Sequence, residues 1–296
     1  MPGMSERAVY THGHHESVLR SHRWRTVENS AGYLLPHLRP GQALLDVGCG
    51  PGTITAGLAK AVAAGTGPAT GGGRLTAVDT AGDVLAAARS ELAAQGVAAE
   101  DGATDGGDGG DGGAVRLEVA DVHALPYPDD SFDVVHAHQV LQHLSDPVQA
   151  LREMRRVCRP GGIVAARDAD YAAMCWYPRP PELDEWNDLY HRIARANGGE
   201  PDAGRRMPAW ARAAGFPPEL VTVTADTWCY AGPEDREWWG GMWADRVVGS
   251  AFARQAVADG FTSQERLEAL SAAWRAWSAD PDGYFAIINT ELLLRA

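Results

Sequence analysis

The chain has 296 residues, 45% of them hydrophobic, and a net charge of −13. That length suits one large α/β domain with additions or two small ones, and the acidic balance disfavours a nucleic-acid substrate, whose phosphates attract basic surfaces. No apolar run reaches the ~18 residues of a membrane span, no basic-then-apolar leader opens the chain, and Cys49, Cys158, Cys175 and Cys229 form no CxxC pair, so a soluble protein of the reducing cytoplasm is expected.

Residues 1–40 carry Tyr10, His12, His14, His15 and His22, and the stretch from Ser17 to Leu35 has helical periodicity. Pro36 and Pro40-Gly41 end it. A helical lid is expected here, across the edge or the ligand face of a sheet. Ala43–Val47 is a short buried strand, followed by glycines at 48, 50 and 52 and a helix over about 53–64. After a Gly-rich link at 65–73 comes a second strand, Arg74–Val78, ending at Asp79, and then a helix over about 81–95.

Residues 96–114 are mostly Gly, Asp and Ala with almost nothing to bury, and they predict a solvated, disordered loop. Val115–Val119 is a third strand running to Asp121, and Phe132–Ala137 a fourth. A short helix near Gln139 and a longer one from Pro147 to Val157 follow, with Arg159-Pro-Gly-Gly as a stop. Ile163–Arg167 is a fifth strand, ending at Asp168. Strands alternating with helices predict a doubly wound parallel sheet. Ligands of such sheets bind at the carboxyl ends of the strands, which puts Asp46, Asp79, Asp121, His138 and Asp168 along one rim.

Residues 171–215 and 233–279 read as helical and rich in Trp. Two late strands, Leu220–Trp228 and Tyr284–Leu294, bring the sheet to seven strands with an antiparallel edge pair. Trp176, Trp228, Trp238, Trp239, Trp243, Trp274 and Trp277 either line an aromatic pocket or form core.

The glycine turn points to a nucleotide-like cofactor. A dinucleotide fingerprint would place its third glycine at 53, where Thr53 stands. Asp46 just ahead of the turn would repel a pyrophosphate and hold an ammonium group. Asp79 can accept both hydroxyls of a ribose. Asp121 can accept an exocyclic adenine amine, with the Val122 backbone beside the ring. An adenosine bearing an amino-acid tail, S-adenosylmethionine, satisfies all three acids.

The segments Leu-Leu-Asp-Val-Gly-Cys-Gly-Pro-Gly-Thr, Ala-Val-Asp-Thr, Val-Ala-Asp-Val-His-Ala-Leu-Pro and Val-Leu-Gln-His-Leu-Ser-Asp-Pro resemble class I S-adenosylmethionine-dependent methyltransferases, most closely the UbiE-like small-molecule branch (methyltransferase type 11). The resemblance covers roughly residues 40–170. It implies a Rossmann-like sheet and a cofactor site made of Asp46, Gly48, Cys49, Gly50, Asp79, Thr80, Asp121, Val122, His138 and Gln139, with S-adenosylhomocysteine as product. The expected layout is a lid at 1–40, a cofactor core at 41–170 and substrate-binding helices with the last strands at 171–296, all in one compact domain.

Tyr10 is expected to cover the methionine end, with Arg20, Arg23 and Arg25 as candidates for its carboxylate. His12, His14 and His15 read as part of this lid and no metal is expected. His143 and Asp168 are the candidate catalytic pair: His143 as a base or a packing residue, Asp168 as its orienter or itself a base. The expected reaction is methyl transfer to O, N or C of a small-molecule acceptor, with homo-oligomeric assembly left open. Competing readings are a NAD-dependent oxidoreductase, a nucleic-acid or protein methyltransferase, and a non-catalytic cofactor-binding protein.

Overall fold

A computed structural model describes residues 24–63, 73–101 and 114–296. Its centre is strand β1 (Ala43–Val47), buried along its whole length. Side chains alternate across a strand, so Leu45 and Val47 face one side of the sheet and Leu44 the other. Each leucine so buried contributes about 1.5–3 kcal/mol. Parallel neighbours β2 (Arg74–Asp79) and β5 (Phe132–His138) flank β1. Helices α1 (Val27–Ala31), α2 (Thr53–Val62) and α3 (Gly82–Ala94) cover the Leu44 face. Helices α4 (Pro147–Val157) and α6 (Ala203–Ala213) cover the other.

The sheet runs β3-β4-β2-β1-β5-β6-β9, where β3 is Ala99–Asp101, β4 Val115–Val119, β6 Cys158–Ala169 and β9 Tyr284–Arg295. On its other edge β9 pairs antiparallel with β8 (Val221–Tyr230), and near its start with β7 (Cys175–Tyr177). The seven expected strands are all present, and the late antiparallel pair is β8 and β9. Two three-residue strands, β3 and β7, make nine.

Two local expectations change. Ala99–Asp101 joins the sheet edge parallel to Val115–Leu117, although the stretch was expected to be loop throughout. Backbone ladder bonds order it, and these leave no side-chain pattern to read. Strand β6 also starts earlier than expected. The Gly161 N–H donates to the Ala296 carbonyl and the Ala296 N–H to that of Gly162, so the supposed helix stop is already sheet. The lid is described only from Trp24 onward. There, a capping box at Thr26 starts α1, whose Val27 packs so tightly on α2 that a Cβ at Gly57 would sit 2.4 Å from Val27 Cγ1. Tyr10, His12, His14, His15, Arg20, His22 and Arg23 lie outside the described residues.

The late helices α5 (Pro181–Ala196), α7 (Pro233–Gly249), α8 (Ala251–Ala258) and α9 (Gln264–Ala279) enclose a second core. Trp186 is its hub, with ring centroids 4.5 Å from Trp243 and 4.9 Å from Trp274, both edge to face.

Candidate active site

The turn after β1 is left-handed at three glycines, with φ of 66° at Gly48, 54° at Gly50 and 84° at Gly52. A side chain at Gly48 would be strained by its φ and would put its Cβ 2.5 Å from Val140 Cγ2. Asp79, at the end of β2, holds this turn in place. One carboxylate oxygen accepts from the Gly50 N–H at 3.2 Å and the other from the Ala81 N–H at 3.1 Å. A carboxylate at this strand end has the acceptor chemistry that a ribose diol requires. Asp121 accepts from the His123 backbone N–H at 2.9 Å and lies 2.8 Å from its Nδ1, which orients the carboxylate beside buried Val122.

Asp46 is placed differently from the expectation of an acid open to an ammonium group. It is 3% exposed, and its two oxygens accept from Thr55 Oγ1 at 2.6 Å and from His136 Nδ1 at 2.8 Å. With Nδ1 donating to the carboxylate, Nε2 of a neutral imidazole at His136 is an acceptor. His136 is fully buried and lines the same cavity as the glycine turn, and its Nε2 has no hydrogen-bond partner among the described residues. The register of β1 and β5 sets His136 opposite Asp46, a pairing that the sequence does not announce.

His138 and Gln139 follow at the end of β5. The His138 ring lies 5.8 Å from that of Trp228. Gln139 holds a left-handed φ of 56°, its N–H donating to the Arg167 carbonyl at 2.7 Å. Cys49 sits within the turn; burial, and then the charges of Asp46 and Asp79, push its thiol well above the usual range, so it is a neutral thiol and not a nucleophile.

His143 and Asp168 flank one turn but face differently. His143 ends the one-turn helix Leu141–His143 and lines the cavity. Burial, helped by the Arg25 charge, pushes its imidazole down to about 3, so it is neutral at pH 7. Asp168 is fully buried and does not line the cavity. Its oxygens accept from the Leu141 and Gln142 N–H groups, each at 3.2 Å. Burial pushes its carboxyl up to about 7, against the pull of those two bonds.

A single cavity of about 660 Å³ joins these parts. One end holds the glycine turn, Asp79, Thr80, Asp121 and Val122. The other is walled by Trp24, Trp228, Tyr230, Trp238, Trp239 and Trp243, with Met174 and Tyr171. Trp24 makes ring contacts of 5.4–5.5 Å with Trp228, Tyr230 and Trp238, so the first described residue belongs to this wall. The tryptophans therefore divide: Trp228, Trp238, Trp239 and Trp243 line the cavity, all but Trp238 also reaching into the second core, whereas Trp274 and Trp277 are core alone and Trp176 packs against that core. Arg25 and Arg246 also line it, Arg246 lying 4.7 Å over the Trp243 ring. Among the described residues no group of three or more His, Cys, Asp or Glu is arranged to hold a metal ion, and no helix is long and apolar enough to cross a membrane.

The donor set fits an adenosyl amino acid. Three left-handed glycines leave room against the backbone, carboxylates stand at the ends of β2 and β4, and an unpartnered buried acceptor lies beside the turn.

Comparison with known proteins agrees. A family model described as a methyltransferase domain matches residues 45–166. An uncharacterized methyltransferase of Schizosaccharomyces pombe is 31% identical over 98% of both chains. "Probable methyltransferase ltbC" of Aspergillus luteorubrus is 30% identical over 96% of both. The ubiquinone/menaquinone biosynthesis C-methyltransferase UbiE of Vibrio parahaemolyticus is 32% identical over 42% of this chain and 40% of that one. A solved structure from Bacillus halodurans shares the fold, with a TM-score of 0.50 at 16% identity over 89% of this chain and 97% of that one. The oxidoreductase reading therefore falls away, and the chain belongs to the S-adenosylmethionine-dependent methyltransferases.

Proposed function

We propose that this methyltransferase acts on a small molecule bound in the tryptophan-walled end of the cavity. The observation that carries the reading is the continuity of that cavity from the glycine turn to the aromatic wall. The bound cofactor supplies an electrophilic methyl group. Asp79 is assigned to its ribose hydroxyls, and Asp121 with Val122 to the adenine. Gly48, Cys49, Gly50 and Thr80 offer the backbone along the turn, and His138 and Gln139 close the site from β5. His136 Nε2, its tautomer fixed by Asp46, accepts from the ammonium group.

The aromatic wall excludes water and holds the acceptor in line with the methyl group, which supplies most of what such a transfer needs. His143 contributes a neutral polar edge. An imidazole whose conjugate acid forms near 3 is a weak base at neutral pH. Asp168 is a positioning residue that fixes the Leu141–Gln142 turn. The layout of lid, cofactor core and substrate-binding helices follows from these roles. Net charge of −13 supports an acceptor other than nucleic acid, and four free cysteines suit a reducing cytoplasm.

The test is mass spectrometry of small-metabolite pools incubated with protein and S-adenosylmethionine. The expected result is a product heavier by one methyl in place of one hydrogen. Tight binding of S-adenosylhomocysteine with no product from any pool, and methylation of protein or RNA instead, would sink the small-molecule reading.

A further inference from the structure

The cavity contains a row of amides whose direction is set at one end. The Ile287 carbonyl can only accept, and it receives the Asn289 side-chain amine at 3.4 Å. The Asn289 oxygen then receives the Gln139 amine at 2.9 Å, and the Gln139 oxygen the Gln142 amine at 2.6 Å. Every amide is thereby turned the same way. The row ends on Gln142 Oε1, which is buried and has no partner among the described residues.

Gln142 is 4% exposed and lines the cavity. Its backbone is held on both sides: the N–H donates to Asp168, and the carbonyl accepts from the Glu200 N–H at 2.8 Å. Its segment meets the glycine turn at Val140 and the aromatic wall through His138 and Trp228. Gln142 thus belongs to the part of the cavity where the methyl group and the acceptor must meet.

We propose that Gln142 Oε1 receives the O–H or N–H of the atom being methylated, so that the natural acceptor is a hydroxyl or amine compound. This rests on the proposed function above and adds the chemical class of the acceptor. Donating its hydrogen to Gln142 turns a lone pair of the same heteroatom away toward the methyl group. The new O–CH3 or N–CH3 bond forms from that lone pair, the S–CH3 bond breaks with its electrons left on sulfur, and the proton leaves to solvent as the product is released from the cavity. An amide oxygen is no base, so Gln142 orients and does not deprotonate. An ether product has no hydrogen left for Gln142, and the buried oxygen disfavours its retention.

The test uses protein saturated with S-adenosylhomocysteine and equilibrium dialysis of 7-hydroxycoumarin, 7-aminocoumarin and 7-methoxycoumarin. The hydroxyl or amine probe is expected to bind at least tenfold more tightly than the methoxy probe, and the tighter of the two distinguishes O from N. Gln142→Met should bring the three within about threefold by weakening only the donor probes, with S-adenosylhomocysteine affinity retained. Equal binding of the three probes to the native protein, or a preference that survives Gln142→Met, overturns the proposal. Failure of S-adenosylhomocysteine itself to bind strikes the proposed function instead.

Discussion

The two ends of the cavity are made of different material. At the cofactor end the contacts come from backbone amides, glycines and carboxylates placed by consecutive strand ends: 46–50 after β1, 79–81 after β2, 121–123 after β4. At the acceptor end they come from large side chains at 24, 171, 174, 228–243 and 287, brought together only by the fold. Directional polar contacts suit one fixed ligand, whereas an apolar wall adapts to whatever shape the acceptor has.

If the ends are separable, damage to one should leave the other intact. Trp243 is fully buried, packs on Trp186 and Trp274, and also lines the cavity. Trp243→Ala is expected to cost about 3–5 kcal/mol of stability in denaturant unfolding. S-adenosylhomocysteine affinity of the folded fraction should be unchanged, and a parallel loss of that affinity would break the comparison. Asp79→Ala should do the reverse, lowering S-adenosylhomocysteine affinity by about 1.5–3 kcal/mol in calorimetry. Unchanged affinity would remove Asp79 from the ribose.

The smallest effect belongs to Asp168, behind the turn that both ends share. Its folded carboxyl titrates near 7, well above the unfolded value, so its contribution is present in acid and lost as pH rises through 7. Between pH 6 and 8 that loss is about 1.4 kcal/mol. His143 has the opposite sign: its imidazole is depressed, so its contribution is present above about 6.5 and lost as pH falls. The clean measurement is therefore the stability difference between native protein and Asp168→Asn at pH 6 and pH 8. A difference that does not shrink at pH 8 would show that the carboxylate is already ionised in the fold.

The sequence made the cofactor end legible because its signals are local. Gly48, Gly50, Asp79 and Asp121 each stand within three residues of a strand end, and short apolar strands fix where those ends fall. His136 escaped because its role depends on a partner ninety positions away in sequence, met only through the register of β1 and β5. Asp168 was placed on the correct rim, but which way its carboxylate turned depended on the Leu141–Gln142 backbone packing over it.

By itself, the sequence determined the doubly wound sheet, the rim on which its ligands bind and the adenosyl character of the cofactor, since periodicity, glycine spacing and strand-end acids act over a few residues. Only the tertiary structure decided which tryptophans are wall and which are core, that Asp46 is held by Thr55 and His136, and that a row of amides leaves Gln142 as an acceptor. The physical reason is that burial and the direction of a hydrogen bond belong to neighbours in space, and α5, α7, α9 and β9 assemble those neighbours from distant parts of the chain.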